Sequence, residues 1–90
     1  MRIERDVLIS NRRGLHARAS AKFVTLASTL QPTEVIVAKD GSSVTGTSIM
    51  GLMMLGAAMG DTITISAEGD GAEAAVGAMC ELVEAKFGED

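Results

Sequence analysis

Tryptophan and tyrosine are absent from this chain of 90 residues, and phenylalanine occurs only twice. A core must therefore be built from Val, Ile, Leu, Met and Ala. The lack of aromatic residues among the basic ones, with a formal charge of -4, argues against a nucleic-acid partner. The single cysteine, Cys80, excludes an intrachain disulfide, which fits a reducing compartment. Cys80 lies in an apolar helical pattern and reads as a small buried hydrophobe. No apolar run is long enough to span a membrane, so no membrane insertion is expected. The charged stretch Met1–Asp6 leads straight into an alternating pattern, and no secretory leader is expected. With one histidine and no cluster of metal ligands, neither a hydrolytic centre nor a metal or cofactor is expected. The expectation is a cytoplasmic protein.

What is present suits one small domain over residues 1–90: 47% hydrophobic and 22% charged residues, ordinary for a globular chain. The charge is uneven. Residues 1–22 hold Arg2, Arg5, Arg12, Arg13, Arg18 and Lys22 against Glu4 and Asp6. The rest holds Lys39 and Lys86 against ten acidic residues. A locally basic end on an acidic protein attracts an anion or an acidic partner surface, although a merely solvated face would look the same.

The hydrophobic pattern predicts a strand over Ile3–Ile9, with Ile3, Val7 and Ile9 on one face. Ser10–Gly14 is a polar loop. From Ala19, the residues Ala19, Phe23, Leu26, Ala27 and Leu30 recur at helical spacing until Pro32 stops the helix. Glu34–Ala38 and Ser43–Thr45 read as strands joined by an Asp40-Gly41 hairpin turn. Ser48 is a plausible N-cap for a helix over Ile49–Leu55. Thr62–Ala67 alternates, with Ile63, Ile65 and Ala67 inward and Thr62, Thr64 and Ser66 outward. Asp70 and Glu73 have capping-box spacing before a last helix whose apolar stripe is Ala75, Val76, Met79, Leu82, Val83 and Phe87. The order β-α-β-β-α-β-α predicts an α+β layer, an antiparallel sheet with helices on one face.

The chemistry concentrates in Gly14-Leu15-His16-Ala17-Arg18-Ala19-Ser20-Ala21. A lone histidine means little, but His16 falls where a polar loop meets a helix start. The first turn of a helix has N–H groups without intrahelical partners, and its dipole favours anions. Ala17 is the expected N-cap and has no side chain to cover those groups. Arg18 adds a fork of donors suited to phosphate oxygens. His16 is the nucleophile candidate beside them, and the residues leave open which ring nitrogen reacts. Gly14 would permit close approach by another chain. In a competing reading Ser20 caps a later helix start and His16 is an ordinary loop residue.

Gly14–Ala21 resembles the active-site signature of the HPr family, the histidine-containing phosphocarriers of the bacterial phosphoenolpyruvate-dependent phosphotransferase system (PTS). Gly46–Leu55 resembles the family's regulatory serine region, and Thr62–Gly69 resembles its last strand. The likeness covers essentially the whole chain. It implies the HPr-like open-faced β-sandwich, with four antiparallel strands covered on one face by three helices. It implies that enzyme I phosphorylates His16, at Nδ1 in the family, and that His16 then donates to an enzyme IIA protein or domain. Arg18 and the backbone N–H groups of Ala17, Arg18 and Ala19 would hold the phosphoryl group. Such a protein is a carrier in a transferase relay rather than an enzyme. The family usually has proline where this chain has Ala19, which loses a pre-set helix entry but gains an N–H donor.

Ser48 resembles the serine modified by HPr kinase/phosphorylase. Phosphate there would sit favourably at a helix start and place negative charge beside a docking surface. The helix it opens is apolar nearly all round, so part of it must face water. Ile49, Met50 and Met53 are the expected partner surface, with Leu52 and Leu55 buried. A shuttle that must leave each partner quickly suits a monomer. Two alternatives stay open: a nitrogen-type regulatory carrier, and a non-catalytic binding module acting through the Ser48 helix.

Overall fold

The computed structural model describes residues 1–89. Its elements are β1 (Arg2–Leu8), α1 (Ala17–Thr29), β2 (Val35–Lys39), β3 (Ser42–Thr45), α2 (Ile49–Met54), β4 (Thr62–Glu68) and α3 (Ala72–Glu84). A 3-10 turn at Lys86–Gly88 follows. The four strands form one antiparallel sheet in the order β1-β4-β2-β3. The expected α+β architecture is present, with the element order read from the sequence.

The register places apolar residues side by side on one face. Val7 pairs with Ile63, Val37 with Ile65, and Val35 with Ala67. All six are buried, and period-2 alternation explains why they share that face. The helices cover it: α3 packs on β1 and β4, and α1 packs on α2 and α3. Phe23 from α1, Leu52 from α2, and Val76, Met79, Cys80 and Val83 from α3 complete the core. Cys80 is buried as expected, and burial pushes its thiol pKa up. No described helix is long and apolar enough to cross a membrane.

The Asp40-Gly41 turn takes the expected hairpin form. Both residues have positive φ (52° and 85°), the handedness that matches the twist of the flanking strands. Beyond β1, Ile9 continues the pairing: its N–H donates to the Asp61 carbonyl, and its own carbonyl accepts from Gly60, both at 2.8 Å. The loop after β1 and the segment before β4 are thereby held together.

Three local expectations are corrected. The Asp70/Glu73 capping box does not form. The N-cap of α3 is Gly71, at φ 85° and with no side-chain cap, so Glu73 lies one position too early to complete the box. Ser66 is buried rather than outward in water. It sits on central strand β4 between Glu4 and Ile36, and its hydroxyl accepts from the Arg2 guanidinium at 3.4 Å. Phe87 does reach the core, but not as part of the helical stripe. α3 ends at Glu84, and Phe87 turns back inward with φ 55°.

Candidate functional site

The loop Ser10–His16 is shaped by Gly14 and Asn11. Gly14 has φ +64° and is buried, and a Cβ there would lie 2.4 Å from the Ala57 carbonyl oxygen. Only glycine fits such an approach. The close approach expected from Gly14 is therefore made to this chain's own backbone at Ala57 and Ala58, not to another chain. Leu15 N–H donates to the same Ala57 carbonyl at 2.9 Å, which locks the loop against the segment before β4. Asn11 is fully buried. Its side-chain NH₂ donates to the Gly14 carbonyl at 2.9 Å and to Glu89 Oε1 at 3.1 Å.

The pinned loop delivers His16 to the start of α1 as the N-cap residue, with extended backbone (φ -73°, ψ 179°). This corrects the expectation that Ala17 is the N-cap of an uncapped start. The helix begins two residues earlier than the apolar spacing from Ala19 suggested, and the imidazole itself serves as the cap. His16 Nδ1 accepts from Arg18 N–H at 3.3 Å. Ser20 caps nothing: it is buried within α1, and its hydroxyl donates to the Leu15 carbonyl at 3.2 Å.

Ala17, Arg18 and Ala19 are the first three residues of the helix, so their N–H groups point out of its end. Among the described residues, only that of Arg18 has an acceptor, the imidazole. The methyl group of Ala19 is buried in the core, which leaves its N–H as the donor a proline would lack. Arg12, Arg13, Arg18 and Glu89 line a shallow cavity of about 210 Å³ here. Among the described residues, no group of His, Cys, Asp or Glu is placed to hold a metal ion.

The other face of the imidazole meets Glu89. His16 Nε2 lies 2.6 Å from Glu89 Oε2, and both side chains are largely shielded, at 14% and 17% exposure. A ring with Nδ1 facing an N–H donor and Nε2 facing a carboxylate carries its proton on Nε2. Nδ1 then presents its lone pair to the helix end. The C-terminal turn is held in place by buried Phe87, whose carbonyl accepts from Lys22 Nζ at 2.7 Å.

Sequence reasoning grouped His16, Ala17, Arg18 and Ala19, and the structure sets these four at the start of α1. It missed Asn11 and Glu89. Glu89 looked like one acid in an acidic tail, and only the reversal at Phe87 brings it across 73 positions to His16. Ser48, by contrast, is the N-cap of α2 as read, its Oγ accepting from Gly51 N–H at 2.9 Å. On α2, Leu52 is buried, Leu55 just beyond it is half-buried, and Ile49, Met50, Met53 and Met54 are exposed. Met50 is 71% accessible.

A small antiparallel sheet under three helices, with a histidine at the first helix start, defines a class of histidine phosphocarriers. A family model described as "PTS HPr component phosphorylation site" matches residues 3–85. The chain belongs to the HPr phosphocarrier family. It is 43% identical over 88 residues to phosphocarrier protein NPr of Shewanella violacea, covering 98% of this chain and 96% of that one. It is 45% identical over 87 residues to phosphocarrier protein HPr of Neisseria meningitidis, covering 97% of each. The crystal structure of HPr-C-His from Thermoanaerobacter tengcongensis superposes with a TM-score of 0.91 at 44% identity, covering 98% of both chains.

Burial opposes ionisation of Glu89, but hydrogen bonds from Asn11 and His16, with the charges of His16 and Lys22, outweigh it. Its carboxyl titrates below the ordinary value of 4.5. A folded-state value below the unfolded one stabilises the fold above the unfolded value, and that stabilisation is lost as pH falls through the folded value. The stability difference between the wild type and Glu89→Gln, measured by urea denaturation, is therefore expected to be largest near neutral pH and to close on acidification.

Proposed function

We propose that His16 accepts a phosphoryl group on Nδ1 from phosphorylated enzyme I, ultimately from phosphoenolpyruvate, and passes it to an enzyme IIA protein or domain. The observation that carries this reading is the lone pair of Nδ1 directed at the open end of α1. A phosphoryl group on Nδ1 would take the imidazole's place as acceptor of the Arg18 N–H. The N–H groups of Ala17 and Ala19, the helix dipole and the Arg18 side chain would share its negative charge. Arg12 and Arg13 add to the positive field that draws an acidic partner surface. On this reading the chain is a carrier that turns over no small molecule, and it works as a monomer, which native mass spectrometry checks.

Purified chain with enzyme I, Mg²⁺ and phosphoenolpyruvate is expected to gain one acid-labile phosphoryl group by intact mass. His16→Ala is expected to gain none. A wild-type chain that stays unmodified with its cognate enzyme I would return the molecule to the binding-module reading. A nitrogen-type regulatory role is the second reading, supported by the likeness to a carrier named NPr.

The exposed side chains of Ile49, Met50 and Met53 form the docking surface in this proposal. Each truncated anchor at such a surface costs at least about 1 kcal/mol. The double variant Met50→Ala, Met53→Ala is therefore expected to raise the KM of enzyme I for this chain by roughly tenfold or more. An unchanged KM would remove the docking role.

Ser48 borders the same surface and is the regulatory phosphorylation site in this reading. Phosphate there keeps a favourable place at a helix start while setting charge against a partner. Cognate HPr kinase/phosphorylase and ATP are expected to add one phosphate at Ser48. Failure to modify it would leave Ser48 as a cap alone.

A further inference from the structure

We propose that the exposed methionines of α2, Met50, Met53 and Met54, form a reversible oxidation site. A peroxide turns their thioethers into sulfoxides and weakens the docking of enzyme I, and a methionine sulfoxide reductase restores it. This deepens the docking role proposed for α2 and rests on it.

The reactive sulfur of the chain is gathered on one face. Of six methionines, four fall in the stretch 50–59. Met50, Met53 and Met54 stand at i, i+3 and i+4, so they share one side of the helix. Met53 is 42% and Met54 80% accessible, and Met50 is as open as they are. Met79 is sealed in the core. So is Cys80, and burial favours its less reactive protonated thiol. Tryptophan and tyrosine, which would compete for an oxidant, are absent. No charged side chain occurs from Ile49 to Gly60, so the face these sulfurs occupy is apolar.

The helix is anchored independently of that face. Leu52 points the other way and is fully buried. Gly51 sits so close to β3 that a Cβ there would lie 3.0 Å from the Val44 side chain. The Ser48 hydroxyl closes the first turn on Gly51 N–H. Oxidation can therefore change what α2 shows to a partner while the helix keeps its place. A sulfoxide is polar, and carrying it into an apolar contact without a hydrogen-bond donor is costly.

In the forward step a sulfur lone pair attacks one oxygen of hydrogen peroxide. The S–O bond forms as the O–O bond breaks, and that electron pair leaves on the second oxygen. The leaving hydroxide takes the proton of the transferred oxygen and becomes water. Sulfur is oxidised by two electrons and the peroxide is reduced. In the return step two thiols of the reductase supply two electrons and become a disulfide, and the oxygen leaves as water.

The test treats full-length chain with hydrogen peroxide and locates the oxygens gained by peptide mass mapping. Met50, Met53 and Met54 are expected to gain one oxygen each, and Met79 and Cys80 none. The KM of enzyme I for the oxidised chain is expected to rise by about tenfold or more. Treatment with the two epimer-specific methionine sulfoxide reductases and dithiothreitol is expected to return it to its starting value. Phosphorylation by the small donor phosphoramidate, which needs no docking on α2, is expected to proceed at the untreated rate. In the variant Met50→Leu, Met53→Leu, Met54→Leu, KM is expected to be the same before and after peroxide, whatever its starting value. Met1→Leu is expected to respond as the wild type does. A wild-type KM unmoved by sulfoxide formation on α2 overturns this inference alone, as does a rise that persists in the triple variant. Oxygen entering Met79 or Cys80 ahead of α2 also overturns it. An untreated chain that takes no phosphoryl group from enzyme I overturns the carrier reading, and this inference with it.

Discussion

The site depends on how the first turn of α1 is closed. An ordinary helix start is covered by a short hydroxyl or carboxamide side chain, a contact worth about 1 kcal/mol. Here the cover is an imidazole nitrogen at 3.3 Å. The contrast with α2 is within the same molecule, where Ser48 closes the helix at 2.9 Å. The longer contact to His16 is a weak one, so a phosphoryl oxygen can take over the N–H at little cost. The imidazole and the N–H that it covers are thereby placed two residues apart, and the rest of the fold serves to hold that pair.

Much of the scaffold behind this arrangement was legible in the sequence. Alternation at Thr62–Ala67, the helical stripes and the Asp40-Gly41 turn placed every element, because one buried face fixes register and turn chemistry fixes direction. What failed was local. The N-cap of α3 moved to Gly71, since a positive φ there is set by the chain's approach and not by the Asp70/Glu73 spacing. Ser66 is covered because a central strand has neighbours on both sides, and strand order is invisible to a pattern within one segment.

Half of the site was equally visible. His16, Ala17, Arg18 and Ala19 are contiguous, and their meaning comes from a helix start that periodicity can locate to within about two to four residues. Asn11 and Glu89 were not visible. Their contribution arises from a reversal at Phe87, a residue in left-handed conformation whose burial no propensity rule anticipates. The same holds for Gly14. Its backbone conformation could be suspected, but its partner, the Ala57 carbonyl, is 43 positions away and identifiable only in three dimensions.

The span of the His16–Glu89 contact also bears on how the molecule matures. The two residues stand 73 positions apart. Local elements such as α1 can form early in synthesis, but the imidazole is not gripped on both sides until residue 89 has left the ribosome and the terminal turn has docked. A shorter nascent chain therefore displays His16 without the carboxylate of Glu89. A chain cut short before Glu89 would keep His16 and lose the carboxylate that meets its ring.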